Sequence, residues 1–390
     1  RVVLTALLIL IQALLLFGII WKLNNYFIYF YAFSVLLSLL LTLRIINNKS
    51  NPAFKIAWLI PILLFPVLGG LVYLVFGSDR TGKYIRNKMG RIEKEMQDGI
   101  SKANERSGIE KMPPDVVNQS HYISNSAHCP PYKNTTVEYL PMGEDKFERM
   151  VQELKKAKRY IFMEYFIIQE GTMWNTILDV LEEKAKEGVD VRVIYDDMGC
   201  ILTLPTGYEK TLREKGIQCQ IFNPFIPILS SHFNTRDHRK ICVIDGNVGF
   251  TGGINLADEY INGYEKHGHW KDTAILLKGE AVFSLTTMFL SMWDYLIKKE
   301  GEDYAAYYPD SWDENAQGIV QPFADNPLDD EAVGETVYLN LINKAKRYVY
   351  ITTPYLILSN EMVTAMNTAA KSGVDVRIIT PHVPDKWYVH

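Results

Sequence analysis

The sequence predicts an α/β protein in which N-terminal transmembrane helices precede two repeated α/β domains, the second truncated. Three observations predict this. Three apolar stretches follow one another at the N-terminus, Val2–Trp21, Tyr26–Leu43 and Ile56–Phe76. Further on, Ala157-Lys-Arg-Tyr160 recurs as Ala345-Lys-Arg-Tyr348, and Gly188-Val-Asp-Val-Arg-Val-Ile194 recurs as Gly373-Val-Asp-Val-Arg-Ile-Ile379. In each copy an amphipathic helix precedes the first strand and another precedes the second, so one α/β unit occurs twice. Between the copies, residues 238–255 alternate and turn like a β-hairpin. The expected organisation is a membrane anchor of two or three helices over residues 1–77 and a charged juxtamembrane helix and linker over 78–134. A first domain covers 135–300, a connector 301–333, and the start of an incomplete second domain 334–390.

Val2–Trp21 is apolar for about 20 residues, enough to span a bilayer. No small-residue cleavage site follows it, which favours an anchor over a signal peptide. The third stretch contains Pro61, Pro66, Gly69 and Gly70. It is therefore expected to be kinked or re-entrant. Arg80, Lys83, Arg86, Lys88 and Arg91 place the following side in the cytoplasm by the positive-inside rule. Arg44, Lys49 and Lys55 compete with them, unless the third stretch is a hairpin or lies in the interface. The expectation is a multi-pass protein of the inner (cytoplasmic) membrane, its remaining domains facing the cytoplasm.

From Ser78 to Glu110 the chain is charged and helix-prone, as for a solvated helix or one that meets anionic headgroups. Met112–Asn134 reads as a linker, and Gly301–Asn326, acidic and aromatic, as a connector. The net charge of −4 gives no global basic field, which counts against nucleic acid as a partner. The four cysteines (Cys129, Cys200, Cys219 and Cys242) have no CxxC spacing, and structural disulfides are not expected on the cytoplasmic side.

The chemistry concentrates in His238-Arg-Lys-Ile-Cys-Val-Ile-Asp245, an H-x-K-x4-D pattern followed by Gly252-Gly-Ile-Asn255. Arg239–Ile244 reads as a strand, Asp245-Gly246-Asn247 as its turn and Val248–Thr251 as the return. His238 and Lys240 then share a face, with Cys242 behind them, while Arg239, Ile241 and Val243 face a core. A neutral imidazole can attack phosphorus. Lys240 suits a phosphoryl oxygen. Asn255 can donate to another oxygen, and Gly252 and Gly253 let backbone approach a ligand. Asp245 could hold a histidine in one tautomer. A lone histidine would be read as a satisfied strand end, but the whole constellation asks for a phosphodiester. Asp196-Asp197, ending a predicted strand, and Glu164 on an earlier one are candidates for support around the site. For Glu164 a buried structural partner is an equal reading. Trp270 and Asp272 read as structural, and His267-x-His269 is weak zinc spacing.

These residues resemble the HKD motif of the phospholipase D superfamily. Tyr160–Ile168, Val191–Gly199, Asp258–Tyr260, Trp270–Asp272, Gln321-Pro322 and Thr353–Tyr355 resemble bacterial cardiolipin synthases within it, with Cys200 where a serine is expected. The resemblance implies phospholipase D-like α/β sandwich domains. It implies that a phosphatidyl group passes from one phosphatidylglycerol to another through a phosphohistidine, making cardiolipin and releasing glycerol, without metal or cofactor. Phosphatidylglycerol and cardiolipin would be the partners, nucleic acid would not, and an oligomer stays open. His238, Lys240 and Asp245 would be catalytic, Lys240 and Asn255 would bind phosphate, and Glu164, Asp197 and Gly253 would support them. Other readings are a phospholipase D, a phosphatidylserine synthase, or a non-catalytic membrane-anchored lipid-binding scaffold. The superfamily uses two HKD motifs and this chain carries one. The offset from Gly188 to His238, applied to Gly373, passes His390. A truncated second copy, inactive by itself, is therefore expected over a one-motif protein pairing two chains.

Overall fold

The computed structural model describes residues 10–12, 14–18, 27–48, 51–77, 83–103, 107–225, 235–299, 303–326, 328 and 331–383. Contacts divide the chain into two units, residues 1–82 with 225–235, and residues 83–224 with 236–390.

In the first unit, most of the predicted Val2–Trp21 span lies outside the described residues; residues 10–12 and 14–18 are helical. The second apolar stretch forms α1, Phe27–Asn47. Among the described residues, Ile28–Asn47 is the one segment long and apolar enough to cross a membrane, with mean hydropathy 1.9. The third stretch is not a single span. It breaks at Phe65 into α2, Pro52–Leu64, and α3, Pro66–Phe76. Asn51 caps α2, its Oδ1 accepting from the Ala53 amide at 2.9 Å. Pro66 opens α3, where its missing N–H leaves nothing unsatisfied. A Cβ on Gly69 would lie 2.1 Å from the Pro61 carbonyl oxygen. In a continuous helix those residues would stand about 12 Å apart, so the chain folds back at Phe65. At about 1.5 Å per residue neither helix approaches the ~30 Å of a bilayer core.

The second unit is a three-layer α/β sandwich. Its seven-stranded sheet has the order β1-β7-β6-β5-β2-β3-β4. The strands are β1 Thr135–Leu140, β2 Tyr160–Tyr165, β3 Asp190–Asp196, β4 Gln218–Phe222, β5 Ile241–Ile244, β6 Val248–Gly252 and β7 Ala274–Gly279. β2, β3 and β4 run parallel, and β5 joins β2 antiparallel. The helices α4 Lys83–Ala103, α5 Pro114–Ser126, α6 Gly143–Leu154, α7 Thr172–Lys186, α8 Asp197–Cys200, α9 Tyr208–Glu214 and α10 Val282–Ile297 accompany it. Strand alternation divides the core. Ile161, Met163, Val193, Cys242 and Ile244 share one cluster with α6, α7 and α9. Phe162, Ile194, Ile241 and Val243 share the other with α4 and α10.

Two segments differ from expectation. The charged helix α4 is not solvated all round, because Met89, Ile92, Met96 and Ile100 are buried in the α10 cluster. Part of the predicted linker is α5, held by buried Ser120 and Ile123. Beyond the connector, α11 Val333–Lys344, β8 Tyr348–Thr352, α12 Asn360–Lys371 and β9 Asp375–Ile379 repeat the order α6-β2-α7-β3. β8 and β9 form a separate parallel pair in which Tyr348 opposes Asp375, as Tyr160 opposes Asp190.

The β5–β6 hairpin corrects one site assignment. Asp245 is at the turn, at the opposite end of β5 from His238, and about 13 Å of strand lies between them. Its carboxylate accepts from the backbone amides of Lys158, Arg159 and Tyr160 at 2.9, 2.7 and 3.0 Å. It therefore cannot hold the tautomer of His238; it fastens the start of β2 to the turn. Asp245 and Gly246 take φ of 54° and 73°, the left-handed pair that a tight hairpin requires. Asp245→Ala should lower unfolding free energy by about 2 kcal/mol, whereas Asp245→Asn, which keeps an acceptor and tolerates φ > 0, should lose less than half of that. Denaturant titration of both variants checks this order.

Candidate active site

The site forms where β5 begins. Because β5 is antiparallel to β2, its N-terminal end meets the C-terminal ends of the parallel strands, with Glu164 opposite Ile241. Strand C-termini are where open α/β sheets place their ligand sites. The strand starts at Ile241, so His238, Arg239 and Lys240 occupy extended coil just before it. The exposed imidazole of His238 lies against Phe166, ring centres 4.8 Å apart and planes tilted by 55°. Lys240 Nζ donates to the His238 carbonyl oxygen at 2.6 Å and lies 5.5 Å from the Phe166 ring centre. Both predicted groups thus converge on one aromatic ring. Lys240 is buried, and burial pulls its pKa down to about 8 against the pull of Asp237, Asp272 and Asp196.

Arg239, between them, points the other way. Its side chain is only 12% exposed. Nη2 donates to Glu164 Oε1 at 2.6 Å, and Nε to Asp237 Oδ1 at 3.0 Å. Burial raises Glu164 well above the ordinary carboxylate range. Asp237 stays below its ordinary value despite burial, because Arg239 faces it. Glu164 thus supports the site through Arg239.

Asp196 reaches the site loop. Its Oδ2 accepts from the Asp237 amide at 3.0 Å, and its Oδ1 from Arg236 Nη1 at 3.2 Å. The same carboxylate caps α8 through Met198 and Gly199. Asp197 is buried as the first residue of that helix.

Asn255 is buried a residue away from the shared ring. Its Oδ1 accepts from the Ile167 amide at 3.0 Å, and its Nδ2 donates to Tyr260 Oη at 2.8 Å. One donor hydrogen of the amide remains beyond these two bonds. Gly253 has a steric reason: a Cβ there would meet Asp272 Oδ1 at 2.2 Å. Asp272 therefore packs against this glycine, a structural contact as the sequence predicts. Burial raises its pKa, opposed by the Thr273 amide and by Lys146 and Lys240. Phe166 and Asp237 escape sequence reasoning because their partners His238 and Asp196 lie far from one or the other in the chain, whereas the HKD spacing is local.

A cavity of about 650 Å³ is lined by residues 236–241, by the polar Thr251, Gln321, Asp325 and Asn326, and by the apolar Leu285, Met288 and Phe323. A polar end next to an apolar wall suits an amphiphile, and the volume lies in the range of small-molecule sites.

Comparison with known proteins identifies the family. A family model described as cardiolipin synthase, PLD-like domain, matches residues 150–293 and 338–390. A second, described as phospholipase D-nuclease N-terminal, matches residues 36–78. An uncharacterized protein of Streptococcus mutans is 46% identical over 349 residues, 88% of this chain and 75% of that protein. A cardiolipin synthase of Geobacillus thermodenitrificans is 36% identical over 366 residues, 92% of this chain and 72% of that protein. Among solved structures, a phosphatidylserine synthase of Haemophilus influenzae is similar at TM-score 0.46 and 14% identity, covering 67% of this chain and 66% of that one. By the family model and the identity to cardiolipin synthases over most of its length, the chain belongs to the cardiolipin synthase family of phospholipase D-like proteins.

Proposed function

We propose that the protein joins two phosphatidylglycerol molecules, releasing glycerol and forming cardiolipin through a phosphohistidine on His238. The observation that carries this reading is an exposed imidazole beside a buried ammonium at the polar end of a cavity with an apolar wall. A family whose members are named cardiolipin synthases supports the choice of substrate.

In the first step a His238 ring nitrogen attacks phosphorus. A P–N bond forms, the P–O bond to the departing glycerol breaks, and that oxygen takes a proton. In the second step the free glycerol hydroxyl of another phosphatidylglycerol attacks phosphorus. The P–N bond breaks and the hydroxyl proton leaves to a base. Lys240 neutralises charge on the non-bridging oxygens, and Asn255 has one hydrogen to donate there. The acid and base would come from a second motif of the same kind, as the superfamily pattern implies. The apolar wall disfavours water as the competing acceptor. We assign the protein to the cytoplasmic membrane, the site facing the inner leaflet, where both substrates share one plane.

In phosphatidylglycerol vesicles, the protein expressed from its full reading frame should release glycerol and cardiolipin in equal amounts. His238→Ala should lower the rate by about 10³-fold or more. Normal turnover in that variant, or phosphatidic acid as the main product, would overturn the assignment. Lys240 must be charged to act, and its pKa lies near 8. Its contribution is therefore present below pH 8 and fades above it. kcat/KM should fall about tenfold per pH unit on the alkaline side. Lys240→Arg should keep a charge and remove that limb, so a limb unchanged in the variant assigns it to another group.

A further inference from the structure

Lys146, on α6, is fully buried. Its side chain makes one hydrogen bond, from Nζ to the Ile254 carbonyl oxygen at 2.7 Å, and the ammonium lies 4.8 Å from the centre of the Tyr165 ring. No carboxylate pairs with it among the described residues. An ammonium carries three donors, so this burial opposes folding unless the group does something else. A methionine would fill the same volume without a charge.

The carbonyl it holds belongs to the turn that forms the site wall. Ile254 sits between Gly253, packed on the Asp272 carboxylate, and Asn255, bonded to Ile167. Gly252 and Gly253 give the turn little stiffness of its own. The Gly253 amide donates to the Thr273 carbonyl at 3.1 Å, which fixes one end. The other end is fixed by Asn255, and Lys146 holds the carbonyl between. Charged and titratable groups face Lys146 from every side: Cys242 on β5, Tyr165 on β2, Asp272 before β7, and Lys240 in the site itself.

We propose that Lys146 is a positioning residue for the site, its buried ammonium gripping the Ile254 carbonyl and so fixing the Gly252–Asn255 turn beside Lys240. Its effect on turnover rests on the phosphatidyl-transfer reading; its effect on the turn does not. Burial lowers its pKa to about 7, so the strength of this grip changes with pH near neutrality.

The test compares the full-reading-frame protein with Lys146→Met in phosphatidylglycerol vesicles, by amide hydrogen exchange and by transfer kinetics. Exchange in residues 253–255 should speed up about tenfold, with other segments unchanged and a melting temperature no lower than wild type. kcat should fall about tenfold while KM stays within about twofold, as when an interaction made in the transition state is lost. Unchanged exchange in the turn would overturn the proposal. So would a rise in exchange throughout the sheet, which would make Lys146 a general packing residue. If the wild type makes no cardiolipin, the transfer reading fails and the exchange comparison alone decides the positioning role.

Discussion

The arrangement depends on a guanidinium held between two carboxylates. Arg239 lies between the two residues that form the site, and the pleat of an extended chain sends it to the opposite face. There it meets Glu164 from the neighbouring strand and Asp237 from its own loop, both buried. Removing Asp237, which Arg239 holds below its ordinary pKa, would leave the buried guanidinium charge uncompensated, typically at a cost of about 3–5 kcal/mol. The chain is thus prevented from rotating about its axis at this point. With Arg239 fixed inward on one side, His238 and Lys240 are fixed on the other. Asp196 adds a second restraint by accepting from the Asp237 amide, which sets where the loop crosses the strand ends.

This explains why an eight-residue pattern serves two distant places. His238 and Lys240 belong to the entry of β5, and Asp245 belongs to its exit. The four-residue strand between them is buried on both faces, contributing Cys242 and Ile244 to one core and Ile241 and Val243 to the other. A shift of register by one residue would exchange those faces and carry His238 and Lys240 to the wrong side. Asp245 opposes that shift by closing the turn in a left-handed conformation and by holding three consecutive amides at the start of β2. The aspartate therefore serves the histidine through register rather than contact.

What was legible in the sequence was what is local. The hairpin, the shared face of His238 and Lys240, and the inward direction of Ile241 and Val243 follow from period-2 alternation and turn residues. The repeat was legible as text, and the matching Tyr160–Asp190 and Tyr348–Asp375 registers show it in the backbone. Asp245 was misplaced because residue type suggests a triad partner, while only the path of β2 shows three unfilled amides beside it. The third apolar stretch had the length of a span, and its prolines marked a kink. That the kink folds the chain back depends on Gly69 admitting the Pro61 carbonyl, a contact with no signature in hydropathy. α4 was misread for a related reason: its charges dominate its composition, while four apolar residues on one face decide its packing.

Burial of Lys240 bears on how the proposed site would recognise phosphate. Burial opposes the charged form of Lys240 and of Lys146, and the carboxylates of Asp237, Asp272 and Asp196 near Lys240 only partly offset this. An incoming phosphodiester brings the missing negative charge. It favours the charged lysine by the same Coulombic interaction that desolvation leaves unscreened. The penalty of removing an ammonium from water has been met during folding, so it is not incurred again when the substrate binds. In a solvated groove Lys240 would be fully charged yet would attract phosphate more weakly, through water. The low local dielectric that depresses its pKa would therefore be the property that makes it effective, and it follows from sandwiching the β5 entry between α6, Phe166 and the Gly252–Asn255 turn.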